Sequence, residues 1–132
     1  MANGYIKRHG QSLISGFEWN GRILKPFGKS SSRGWEFDGK YLKPYQSSMT
    51  KGFEWDGKVL KPYGRSAFAG YECKTNYIKP YMQSIEKGWE KRGGGWAPSG
   101  MSIDAGWEVQ GNVPLPLLVL VFTGLFEKSE HL

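Results

Sequence analysis

The sequence predicts an all-β fold of repeated hairpins, and three observations predict it. Glycine recurs every 18 residues, Asn-Gly or Asp-Gly stands between short β-prone runs, and aromatic residues (15%) and glycine (19 residues) are abundant while helical stretches rich in Ala and Leu are missing. A length of 132 residues fits one domain, residues 1–132, with no room for a second core.

The frame is set by Gly16, Gly34, Gly52, Gly70, Gly88, Gly106 and Gly124. An aromatic residue follows each of the first six (Phe17, Trp35, Phe53, Tyr71, Trp89, Trp107), and a glutamate follows that (Glu18, Glu36, Glu54, Glu72, Glu90, Glu108). Prolines at 26, 44, 62, 80, 98 and 116, serines from 12 to 102 and lysines at 7, 25, 43, 61 and 79 keep the same phase. The chain thus divides into a half-repeat (1–15), six repeats (16–33, 34–51, 52–69, 70–87, 88–105, 106–123) and a C-terminal stub (124–132), about seven units in all. Such regularity signals stacked or radially arranged modules, none of which buries its apolar side alone.

Each unit reads as a β-hairpin. The tips fall at Asn20-Gly21, Asp38-Gly39 and Asp56-Gly57, where a type I′ turn needs positive φ at both central positions. Proline cannot donate to a ladder, so it belongs at the end of the second strand or at an edge. The Ser/Lys/Gly stretch that follows, such as residues 28–33, links to the next hairpin. Strand alternation sorts Phe53, Trp55, Lys58 and Leu60 onto a core face, and Glu54, Val59, Lys61 and Tyr63 onto the other. With the tip at Asp56-Gly57, Glu54 is expected opposite Val59 and diagonal to Lys61, which gives the recurrent Glu and Lys a structural role as a cross-strand ladder.

The pattern decays along the chain. Lys74-Thr75-Asn76 and Arg92-Gly93-Gly94-Gly95 replace the fourth and fifth tips, so these hairpins are expected to be looser or to carry distinctive chemistry. The uncharged run Val113–Phe122 is too short to span a membrane as a helix, which takes about twenty residues. It is expected to be a strand buried on both faces or hidden in a subunit contact, since an exposed one would template aggregation. The N-terminal half-repeat and the C-terminal stub are each incomplete, and pairing them would complete a seventh hairpin and close a barrel or ring. An open hairpin solenoid capped by half-repeats is the alternative, with closure slightly favoured.

The stretch Gly34-Trp35-Glu36-Phe37-Asp38-Gly39-Lys40-Tyr41-Leu42 resembles the hairpin repeats of cell-wall and choline-binding modules, a likeness that covers roughly residues 16–81. The resemblance implies ligand contact through aromatic residues between successive hairpins. Lys-Pro-Tyr and the glutamate at the third position are not part of that family's pattern.

No catalytic constellation is visible. His9 and His131 are the only histidines and lie near the two ends, and no Ser-His-Asp, Cys-His or metal-ligand spacing occurs. A non-enzymatic protein without cofactor or metal is therefore expected. The lone Cys73 replaces the Trp or Phe of other copies and reads as a small buried hydrophobe. Candidate ligand contacts are the aromatic side chains Phe27, Tyr45, Tyr63 and Tyr81, which could stack on sugar rings, with Glu18, Glu36, Glu54, Glu72, Lys25, Lys43, Lys61 and Lys79 supplying hydrogen bonds. The favoured reading is a multivalent module for carbohydrate or a cell-envelope polymer, in which weak equivalent sites on one frame add avidity.

The alternative is a homo-oligomeric structural or assembly subunit, of a phage particle or another secreted machine, with Leu115–Phe122 at the contact. The net charge of +6 favours anionic partners, yet a glutamate in every unit would repel phosphate, so single-stranded nucleic acid ranks below both. The N-terminal residues lack the apolar stretch of a secretory signal, so export would be expected to go by lysis or a dedicated machine.

Overall fold

Short β-prone runs of three to five residues form twelve strands. The computed structural model describes residues 3–128. The strands are β1 (Gly4–Arg8), β2 (Phe17–Trp19), β3 (Ile23–Pro26), β4 (Trp35–Phe37), β5 (Tyr41–Pro44), β6 (Phe53–Trp55), β7 (Val59–Pro62), β8 (Tyr71–Lys74), β9 (Tyr77–Pro80), β10 (Trp89–Arg92), β11 (Gly95–Pro98) and β12 (Trp107–Gly111). They are followed by the helices α1 (Leu115–Phe122) and α2 (Leu125–Lys128). Each strand pairs antiparallel with its neighbours in sequence, and β1 pairs with β12, so the sheet is a closed barrel with no open edge. Closure is the outcome, and the open solenoid is not.

The closing partner differs from expectation. Five residue pairs, from Gly4 with Gly111 to Arg8 with Trp107, join the N-terminal half-repeat to the first half of the sixth repeat. The ring therefore holds six hairpins, and the seventh frame glycine, Gly124, starts no strand: it lies between α1 and α2 at φ 79°. Residues 129–132 of the stub lie outside the described residues.

The hairpin tips are shifted by one residue from the expected Asn-Gly and Asp-Gly centres. Trp55 pairs with Leu60 and the Asp56 N–H donates to the Val59 carbonyl, so Gly57 and Lys58 are the two central residues. Asp56 stands just outside, its Oδ1 accepting the N–H of Lys58 (2.8 Å) and of Val59 (2.7 Å). Asn20 and Asp38 do the same. This Asx arrangement supplies the turn from a side chain, and positive φ is needed at glycine alone, 100° at Gly57. The shift moves the register by two, so Glu54 faces Lys61 rather than Val59. Side chains alternate with period two, so the faces themselves are unchanged. Lys58, expected on the core face, is exposed at the tip.

The fourth and fifth tips are no looser than the rest. Lys74 pairs with Tyr77 and Arg92 with Gly95, leaving two-residue loops at the same repeat position.

The six frame glycines that precede strands are required by close approach: a Cβ on Gly16 would lie 2.6 Å from the Ile6 carbonyl oxygen on the adjacent strand. The serine column caps single 3-10 turns that connect the hairpins, with Ser12, Ser30, Ser48 and Ser84 accepting an N–H two residues on. These connections form one rim of the barrel and the hairpin tips form the other.

The run expected as a strand is the helix α1, and it fills the barrel. Pro116 to Phe122 are all buried, and α1 shares one cluster with Ile6, Trp19, Leu24, Trp35, Leu42, Leu60, Cys73, Ile78 and Trp96 from around the ring. A helix that is apolar on every side must be surrounded. Inside a closed ring every ladder position is taken, so a thirteenth strand would leave its backbone unpaired. A helix satisfies its own N–H and C=O groups. Its eight residues span about 12 Å, close to the reach of the short strands around it. Phe122 sits among Trp89, Trp96 and Trp107 at ring separations of 5.6 to 5.9 Å, and Phe126 meets Phe17 at 4.7 Å. Residues 116–122 of the apolar run are thus buried inside their own barrel rather than as a strand or at a subunit contact.

Candidate functional site

On the outer face, the recurrent glutamates and lysines are brought together as expected, in cross-strand pairs. Lys25 and Glu18 meet at 2.8 Å, Lys43 and Glu36 at 3.3 Å, Lys61 and Glu54 at 3.3 Å, Lys79 and Glu72 at 2.9 Å, and Lys7 and Glu108 at 2.9 Å. Each glutamate also accepts a backbone N–H from the turn after the second strand: Gly28 (2.7 Å), Gln46 (2.5 Å), Gly64 (2.7 Å), Met82 (3.1 Å) and, after Arg8 in the proline position, Gly10 (3.0 Å) in turn. Each lysine donates to a carbonyl four residues ahead, from Gln11 to Gln83, at 2.6 to 2.8 Å.

The pair is therefore a clamp that holds the Pro-aromatic turn onto the strand. In the fifth hairpin, where Ala97 takes the lysine position, Glu90 accepts from the Ser99 hydroxyl instead. The clamp holds the carboxylates below their ordinary range. The Lys25 hydrogen bond does most for Glu18 and the Lys79 bond for Glu72, while the Gly64 and Gly10 N–H groups do most for Glu54 and Glu108. Partial burial works against the same effect at Glu36, where the Gln46 N–H and Lys43 still prevail.

The clamped turn presents the aromatic side chain. Phe27 and Tyr63 are exposed, whereas Tyr45 and Tyr81 are half-buried. Tyr63 leans toward Tyr41 of the preceding hairpin at 6.2 Å, and Phe68 stands edge-on to Tyr81 at 5.4 Å. A groove of about 430 Å³ lies beside Tyr63, floored by Phe53, Pro62 and Tyr71 and edged by Lys51 and Arg65. Two repeats earlier the same positions recur beside Phe27, where Phe17 and Pro26 with Ile14 and Lys29 line a groove of about 230 Å³. Leu125 closes one groove and Phe126 the other, so the two grooves share α2 as an inner wall.

Periodicity alone missed a second set of residues. Ile14, Phe68, Met82 and Met101 are 78%, 74%, 69% and 51% exposed, and Met49 is exposed as well. With Phe27 and Tyr63 they complete the exposed large hydrophobics of the described residues, and all seven lie in the inter-hairpin connections. Ile14, Phe68 and Met101 are apolar in columns that are otherwise polar, and Met82 replaces a glycine, and that was the available signal.

The sixth unit departs from the others in having His9 where they carry an aromatic ring or serine. Its imidazole lies 3.4 Å from Glu108 and 3.5 Å from Asp104, above a cavity of about 250 Å³. Arg8 stacks over Trp107 at 4.2 Å. His131 lies outside the described residues. Cys73 is buried as expected, and burial pushes its thiol up to about 12. No metal-holding group of His, Cys, Asp or Glu occurs among the described residues, and no helix there is long and apolar enough to cross a membrane.

Comparison of the chain with protein-family models, with curated proteins and with solved structures found no match in any of the three.

Proposed function

We propose that the protein is a non-enzymatic, multivalent binding module that grips a carbohydrate or another cell-envelope polymer along the rim of inter-hairpin connections. The observation that carries this reading is the recurrence of one groove, aromatic-floored and cation-edged, beside Phe27 and again beside Tyr63. Flat rings at fixed spacing suit the apolar faces of successive sugar units, and lysine, arginine and threonine at the edges suit their hydroxyls. Several weak sites on a rigid ring then add through avidity. The column glutamates and lysines serve this indirectly, by holding the aromatic turn in place.

A glycan array followed by pull-down on insoluble polysaccharide tests the proposal. Binding is expected to fall several-fold in Phe27→Ala and in Tyr63→Ala, and by more than the larger single effect in the double variant. Polymer binding that survives the double variant unchanged would overturn the reading.

A further inference from the structure

The fifth hairpin breaks the inner-face pattern in a way the rim does not explain. Five of the six positions facing inward beside the tips carry Trp19, Phe37, Trp55, Cys73 and Val109. The sixth is Lys91, which pairs across the strand with Trp96 and so shares the barrel's inner face with a ring that is only 3% exposed. The tip beyond it is Gly93-Gly94, which adds no side chain, and a Cβ on Gly94 would meet nothing within 4 Å.

The missing aromatic ring and the bare tip leave a cavity of about 420 Å³ at the tip end of the barrel. That volume lies within the ~300 to 1,000 Å³ of small-molecule sites. Trp96, Val109, Leu115 and Leu118 form its apolar wall, and Thr75 and Asn112 add polar groups at the mouth. No carboxylate lines it, and among the described residues the Lys91 ammonium has no ion pair or hydrogen bond. Lys91 is itself exposed and lines the cavity, so its ammonium stands where the apolar wall meets solvent, and an anion entering there would gain a charge-assisted partner beside an apolar surface.

We infer that this cavity binds a small amphipathic anion, with its apolar body against Trp96, Leu115 and Leu118 and its carboxylate at Lys91. The site lies at the opposite end from the connection rim, so it is independent of the polymer proposal and stands or falls without it.

Titration of the full chain with octanoate, followed by calorimetry and by methyl and indole NMR, tests the inference. Octanoate is expected to bind saturably and to shift the Trp96 indole and the Leu115 and Leu118 methyl signals, and octylammonium to bind at least tenfold more weakly. Lys91→Gln is expected to weaken octanoate about tenfold while leaving 1-octanol unchanged. Lys91→Phe, which restores the residue type at Phe37, is expected to fill the cavity and abolish binding of both. Octanoate that shifts Phe27 or Tyr63 instead of Trp96, that binds Lys91→Gln or Lys91→Phe as tightly as the parent, or that shows no saturable binding would overturn it. The parent chain and Lys91→Gln should share one thermal unfolding profile, which separates loss of the site from loss of the fold.

Discussion

Glu18 accepts the backbone N–H of Gly28 at 2.7 Å, ten residues along the chain and across a two-strand hairpin. The same carboxylate oxygen receives the Lys25 ammonium at 2.8 Å, so one side chain fixes both the strand pair and the turn that ends it. Glu18→Ala is expected to cost about 1 kcal/mol, the net worth of such a bond at a site water can reach. Glu18→Gln keeps an acceptor for Gly28 and should lose about half as much. Urea unfolding midpoints of the three proteins give the order.

Acid should loosen the whole ring. Glu18, Glu36, Glu54, Glu72 and Glu108, with Asp38 and Asp56, are all held below their ordinary values of 4.5 and 3.8 in the folded chain. The unfolded chain therefore binds more protons as pH falls through about 4.5, and stability that is fully present above that value is lost below it. Urea midpoints are expected to be flat from pH 6 to 8 and to drop steeply between about pH 4.5 and 3. A midpoint that rises on acidification would contradict the clamp.

Two turns carry a backbone penalty that the others avoid. Gln46 (φ 58°) and Met82 (φ 63°) occupy the left-handed position that is glycine at 10, 28, 64 and 100. Side chains pay about 1 kcal/mol there, so Gln46→Gly and Met82→Gly should each raise stability by up to that amount. The double variant should show the sum, because the two turns are in different hairpins. Thermal midpoints are the readout.

The plug is expected to matter more than any surface contact. Leu120 is fully buried within the ring, and Leu120→Ala should cost about 2 to 5 kcal/mol. A chain ending before Val113 should lose its cooperative thermal transition, because the inner faces of twelve strands would enclose water. Differential scanning calorimetry distinguishes a shifted transition from an absent one.

Cys73 should report on opening of the barrel. A buried thiol pushed up to about 12 carries almost no thiolate at pH 8. Reaction with a disulfide reagent should be slow in the native chain and accelerate with urea in step with global unfolding. Rapid labelling without denaturant would mean that the wall between β7 and β9 opens locally.

Much of this architecture is legible in the residues, and the exceptions have physical reasons. The 18-residue columns announce hairpins, and the inner and outer faces are legible because they depend only on parity. The tip is harder to place, since Asp56 and Gly57 are adjacent and both are turn residues: which one takes positive φ depends on whether the aspartate spends its side chain on the backbone. The run Leu115–Phe122 has the composition of a buried strand or a buried helix alike, and only the closed ring around it decides. Closure with β12 was obscured because Gly124 falls in frame without starting a unit. At the candidate site, Phe27 and Tyr63 are found by their period, whereas Ile14 and Phe68 stand in columns that hold serine, threonine, glutamate and aspartate elsewhere. Lys91 shows itself only when the inner column is known to be otherwise apolar.

The sixth hairpin is assembled from two distant stretches, and its clamp joins Gly10 to Glu108, 98 residues apart. During synthesis β1 can pair at once with β2, but its other edge must wait for β12 while five hairpins emerge and zip locally. The slow step of maturation is then the docking of this early strand against the late one around α1, a long-separation event that loop-closure entropy retards. Until that moment the nascent sheet has two raw margins that a second polypeptide could capture, so the seam between β1 and β12 is where swapped or clumped products would first arise.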